Sequence, residues 1–178
     1  VLVLSLDIAI DPIKGDLTNP SAVRFWLLQV KNGRVAGAVA GPPCETWSKV
    51  RFLLLPGEKA PPPLRSSITP EGIKGLTSRQ YEQVHLSNVL LHVALRFFVA
   101  IIQSGGMALI EHPAEPATPV QAPSVWKLAV TKWLQRSPAV LAKTFFQGTH
   151  GQISLKPTTF LLCRLSNIHE FLYKRQGG

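Results

Sequence analysis

Cysteine is scarce in this chain, and its scarcity removes whole classes of protein. Cys44 and Cys163 are the only two, too few for a disulfide framework and suited to a reducing, intracellular compartment. The expected location is the nucleus if the source is eukaryotic and the cytoplasm otherwise. Neither cysteine sits at metal-ligand spacing, so no metal is expected. Long apolar runs are missing too. The longest, Val89 to Ile102, is interrupted by His92 and Arg96 and falls short of the roughly 20 residues of a membrane span, so it reads as a buried helix. Gly-x-Gly-x-x-Gly, P-loop and His-Glu-x-x-His patterns are absent. No repeat or linker divides the chain, which reads as one domain over residues 1–178.

Acidic residues are also few. Ten stand against nineteen Lys and Arg, and the resulting formal charge of +9 points to a polyanionic partner, nucleic acid first. A hydrophobic fraction of 46% with only 16% charged residues is enough to build a packed core.

What is there alternates. Val1 to Leu6 reads as a buried strand ending at Asp7. Asn19-Pro20 opens a helix to about Asn32, stopped by Gly33. Val35 to Ala40 is β-compatible and runs into Gly41-Pro42-Pro43-Cys44. An irregular stretch of some 30 residues (45–76) follows, long enough that a functional role is expected. Thr77-Ser78-Arg79-Gln80 is a capping box for a long helix to about Ser104. Met107 to Ile110 forms a strand that delivers Glu111-His112-Pro113. A helix over Ser124 to Gln135, strands Val140 to Phe146 and Thr158 to Cys163, and a short helix over Asn167 to Tyr173 complete the pattern. Such alternation predicts an α/β fold, a mostly parallel sheet with helices on both faces, and a site at the carboxyl ends of the strands. Asp7, Cys44 and Glu111 each follow an apolar strand at that end.

Gly41-Pro42-Pro43-Cys44-Glu45-Thr46-Trp47-Ser48 carries the chemistry. By residue type alone, Cys44 is either a core cysteine beside a rigid turn or a nucleophile. The segment resembles the Pro-Cys motif of the cytosine-C5 DNA methyltransferases, with Glu45 in place of the usual Gln. Ile110-Glu111-His112-Pro113 falls where that family has Glu-Asn-Val, and only the glutamate matches. The resemblance implies a Rossmann-like class I S-adenosylmethionine-dependent fold and methyl transfer to C5 of a cytosine flipped out of DNA. Cys44 would add to C6 and Glu111 would engage N3. Asp7, Asp16, Pro42 and Pro43 would contact the cofactor S-adenosylmethionine. Gln147 and Lys156, loose counterparts of the family's Gln-x-Arg-x-Arg, would meet cytosine O2 or phosphate along with Ser48, Lys49 and Arg51.

The segment from Lys49 to Arg79 holds six basic side chains (Lys49, Arg51, Lys59, Arg65, Lys74, Arg79) against Glu58 and Glu71, a net +4. In the family the corresponding loop closes over DNA. Trp26, Trp126, Trp133, Phe97 and Phe98 read as core residues. RNA is a second substrate class open to Pro-Cys enzymes. The family's first cofactor motif would precede Val1, so an N-terminally truncated enzyme is expected. The alternative is a catalytically silent, methyltransferase-like nucleic-acid-binding module of a larger, mobile-element-type polyprotein. A cysteine hydrolase pairing Cys44 with His112 or His150 lacks the accompanying nucleophile elbow.

Overall fold

The first helix begins where a capping side chain meets a proline. The Asn19 side chain accepts from the Ser21 amide at 2.9 Å and Pro20 occupies the first turn, so α1 spans Pro20–Lys31. In the computed structural model, residues 2–53, 61–150, 156–165 and 167–168 are described. The remaining elements in chain order are β1 (Gly37–Ala40), α2 (Ser78–Gln103), β2 (Met107–Pro113), α3 (Ala129–Gln135), β3 (Val140–Phe146) and β4 (Pro157–Cys163). The expected Ser124 to Gln135 helix is split. A one-turn 3-10 helix, Val125–Lys127, precedes α3. Of the expected helix over Asn167 to Tyr173, only Asn167 and Ile168 are among the described residues.

The four strands form one open mixed sheet in the order β1-β2-β4-β3. β1 and β2 are parallel, while β4 runs antiparallel to both β2 and β3. The expectation of a mostly parallel sheet is therefore corrected. The reason is chain length: β3 and β4 are joined by residues 147–156, too few for a crossover, so the chain must turn straight back. β4 then fits between β2 and β3.

The expected first strand is a second correction. Among the described residues, 2 to 6 form no strand, and Leu2 and Val3 are exposed. An apolar run becomes a strand only where a neighbouring edge takes its backbone hydrogen bonds, and none does among the described residues. Asp7 consequently starts a turn, its carbonyl accepting from the Ile10 and Asp11 amides.

α2 positions the site. Its capping box is complete: the Thr77 hydroxyl accepts from the Gln80 amide and the Gln80 side chain accepts from the Thr77 amide. Its buried stripe, Val84, Ser87, Leu91, Ala94, Phe98 and Ile101, repeats at helical spacing and packs on β1 and β2. α2 has 26 residues, and an 18-residue window within it reaches a mean hydropathy of 1.7, the length and composition of a membrane span, with 39% of that window buried inside the fold. Ala108, Leu109 and Ile110 are buried in succession, so β2 is covered on both faces. The shared core joins Phe98 and Ile101 to Ile110, Trp126, Leu161 and Cys163. Trp133 departs from the core expectation and is 61% exposed, because α3 turns that side of its single face to solvent. Gly106 closes the α2–β2 junction, where an added Cβ would lie 2.9 Å from the Ala36 carbonyl oxygen.

Candidate active site

β1 and β2 are parallel and adjacent, so their carboxyl ends open together. The rigid segment Gly41-Pro42-Pro43 leaves β1 and turns Cys44 over the end of β2. A cavity of about 240 Å³ lies there, lined by Gly41, Pro42, Pro43, Cys44, Glu45, Glu111, His112, Pro113 and Lys156. That is smaller than the roughly 300–1,000 Å³ typical of drug-sized ligands, and suits a single ring. Cys44 is half-buried.

Glu111 does not sit just past its strand, as the sequence reading has it. β2 continues through Pro113, and Glu111 pairs in register with Phe160 of β4. One carboxylate oxygen, Oε1, accepts from Gln147 Nε2 at 3.2 Å and lies 3.8 Å from Lys156 Nζ. Oε2 accepts no hydrogen bond among the described residues and lies 3.6 Å from where a Cβ on Gly41 would stand. The carboxylate is thus held by one oxygen while the other faces the loop that carries Cys44. Three residues singled out from the sequence, Cys44, Glu111 and Lys156, line one opening, and a fourth, Gln147, reaches it through its hydrogen bond to Glu111.

The remaining assignments separate. Asp7 and Asp16 do not line the cavity. The Asp7 carboxylate accepts from the Ala9 amide at 2.8 Å. That of Asp16 accepts from the Thr18 hydroxyl at 2.6 Å and the Thr18 amide at 2.9 Å, which hold it below the usual carboxylate range. Pro42 and Pro43 do line the cavity, but no described cavity gathers all four cofactor assignments, so the described residues do not by themselves form a site fitted to S-adenosylmethionine. Ser48 caps the short helix Lys49–Phe52 by accepting from the Val50 amide. Lys49 is exposed. Arg51 is tied down internally, donating to the carbonyls of Glu45 and Pro62.

Arg65 overturns part of the basic-loop expectation. It is completely buried and cannot meet a phosphate. Its guanidinium donates to Thr46 Oγ1, to the carbonyls of Pro70 and Val84, and to Asn88 Oδ1, and lies over the Trp47 ring at 4.1 Å. Burial lowers its pKa to about 10, against the opposing charge of Glu71. Lys59 lies outside the described residues. Composition counts charges without locating them, so nothing in the sequence set Arg65 apart. Ser87 did carry a signal: it is the one hydroxyl in the apolar stripe of α2.

The burial of His112 is the other unforeseen feature. It is 2% exposed, flanked edge-on by Trp47 and Trp126, and its Nε2 has no partner among the described residues. Burial above all, helped by the charges of Lys156 and Arg65, pushes its pKa down to about 3 against a hydrogen bond with the Pro113 backbone. It is therefore neutral at physiological pH.

Comparison with protein-family models, with curated proteins and with solved structures finds no match.

Proposed function

We propose that the chain carries the base-binding and nucleophile half of a cytosine-C5 methyltransferase site, which moves a methyl group from S-adenosylmethionine to cytosine in DNA. The observation that carries this reading is the shared cavity of Cys44 and Glu111, with a carboxylate oxygen that accepts no hydrogen bond among the described residues beside the loop that presents the thiol. Cytosine C5 is a poor nucleophile. Bonding of the Cys44 sulfur to C6 releases the thiol proton, breaks the 5,6 double bond and shifts its electrons toward C5 and N3, and a proton taken up on Glu111 Oε2 and passed to N3 takes up the charge. Gln147 and Lys156 hold that carboxyl in place through its other oxygen. S-adenosylmethionine is the methyl donor that the resemblance implies.

The sheet supports the fold part of this reading. A parallel pair that carries the two reactive groups, followed by a reversed strand set in before the last, resembles the later half of a class I methyltransferase sheet. One observation favours the silent nucleic-acid-binding module instead: Asp7 and Asp16 stand apart from the cavity, each engaged in its own turn.

A covalent trap separates the two. The chain is incubated with S-adenosylmethionine and a mixed-sequence duplex containing 5-fluorocytosine, then run on a denaturing gel. A shifted band that is absent in Cys44→Ser supports the transferase. Duplex binding with no band, unchanged in Cys44→Ser, supports the module.

A further inference from the structure

We propose that Arg65, Thr46 and Ser87 form a positioning relay that fixes the backbone on the amino side of Cys44, so that the thiol is presented in one orientation. This deepens the reading above, since it concerns the same thiol. The links run in one direction. Arg65 Nε donates to Thr46 Oγ1 at 2.9 Å, Thr46 Oγ1 donates to Ser87 Oγ at 3.2 Å, and Ser87 Oγ donates to the Pro43 carbonyl at 3.1 Å. Each hydroxyl accepts from one side and gives to the other, an arrangement in which successive bonds polarise one another. Trp47 Nε1 adds a second donor to Ser87 at 3.3 Å.

The far side of Cys44 is held as well. Its carbonyl accepts from the Trp47 amide at 2.9 Å. Both peptide groups flanking the thiol are therefore anchored, and rotation about its own side-chain bond is the freedom left to the sulfur. The network is buried: Thr46, Trp47, Arg65 and Ser87 are each no more than 3% exposed. Among the described residues no carboxylate pairs with Arg65, so its donors are committed to Thr46, Asn88 and main-chain carbonyls. A guanidinium is costly to bury, and the groups this one satisfies include Thr46 in the loop after the nucleophile, with the Trp47 ring beneath it.

Ser87 is the link to cut, because Ser→Ala removes one hydroxyl and little volume. Two rates are measured for wild type, Ser87→Ala and Ser87→Thr. The first is iodoacetamide alkylation of Cys44, read by peptide mass spectrometry with buried Cys163 as the internal control. The second is formation of the 5-fluorocytosine adduct. Freeing the Pro43 carbonyl lets the half-buried thiol sample more orientations. In Ser87→Ala, alkylation of Cys44 then rises about threefold or more while adduct formation falls about tenfold, with Cys163 still unreactive and both rates restored in Ser87→Thr. Unchanged alkylation of Cys44 overturns the relay, and so does a parallel rise at Cys163, which reports general loosening. If alkylation responds as expected but wild type forms no adduct, the relay stands and the methyltransferase reading falls.

Discussion

Gln147 Nε2 donates to Glu111 Oε1 at 3.2 Å, joining the end of β3 to the middle of β2 across 36 residues of sequence. The bond orients a carboxyl whose second oxygen, without a partner among the described residues, lies toward Gly41. It also assigns separate work to two residues that the sequence offers only as site candidates. If Glu111 delivers a proton to the base, Glu111→Gln keeps its shape and removes that proton. Adduct formation should then fall about 100-fold or more, within the range for a lost general acid. Gln147→Ala should cost about tenfold, since it removes only an orienting bond. Single-turnover trapping kinetics measure both, and a wild-type rate in Glu111→Gln would remove the carboxyl from the chemistry.

Arg65 makes a stability prediction of unusual size for one residue. Arg65→Ala strips a donor from Thr46, Asn88 and the carbonyls of Pro70 and Val84, all around a buried position. A buried acceptor left without its donor costs about 1–3 kcal/mol, and partial relaxation shares the loss, so a total of about 3 kcal/mol or more is expected from urea unfolding. Arg65→Lys should recover little of it. An ammonium is a single point donor and cannot serve four acceptors spread around a planar guanidinium. A Lys variant as stable as wild type would show that charge, rather than the fork of donors, is what matters there.

Much of the architecture was legible because it rests on local signals. Asn19-Pro20, the Thr77–Gln80 capping box and the apolar stripe of α2 act within a few residues and appear where the pattern puts them. Sheet direction was less so. The shortness of the β3–β4 connection was visible, but the insertion of β4 beside β2 is a pairing between distant segments. Leu2 to Leu6 misled for the same reason, since strand propensity says nothing about whether an edge is there to pair. That Cys44 and Glu111 come to one sheet edge was readable from motif and order, and they line one cavity there. Arg65 and His112 were not, because burial of a polar group is decided by tertiary packing.

The two basic residues after the Pro-Cys segment should behave differently toward DNA. Lys49 is exposed, whereas Arg51 spends its donors on Glu45 and Pro62. Lys49→Ala should weaken duplex binding and reduce the slope of log affinity against log salt by about one. Arg51→Ala should leave that slope nearly unchanged and loosen the short helix Lys49–Phe52, seen as faster tryptic cleavage after Lys49. Equal effects of the two on the slope would place both side chains on phosphate.

His112 makes the fold acid-sensitive well above the range where carboxylates titrate. Its folded pKa, about 3, lies below the ordinary histidine value of 6.5, so the unfolded chain binds the proton more readily. Stability from this group is therefore complete above pH 6.5 and is lost as pH falls from 6.5 toward 3. Between pH 7 and pH 5 the loss is about 2 kcal/mol, since each pH unit below the unfolded pKa contributes about 1.4 kcal/mol. The residue is almost fully buried, so solvent does little to screen the effect. His112→Gln keeps a neutral polar side chain that takes up no proton. Unfolding free energies from urea titration at pH 7 and pH 5 should separate widely for the wild type and by about 2 kcal/mol less for the variant. The other histidines are common to both proteins and cancel in that difference. An identical pH response in the two would mean that His112 takes up its proton in the folded chain, and that the space between Trp47 and Trp126 admits water.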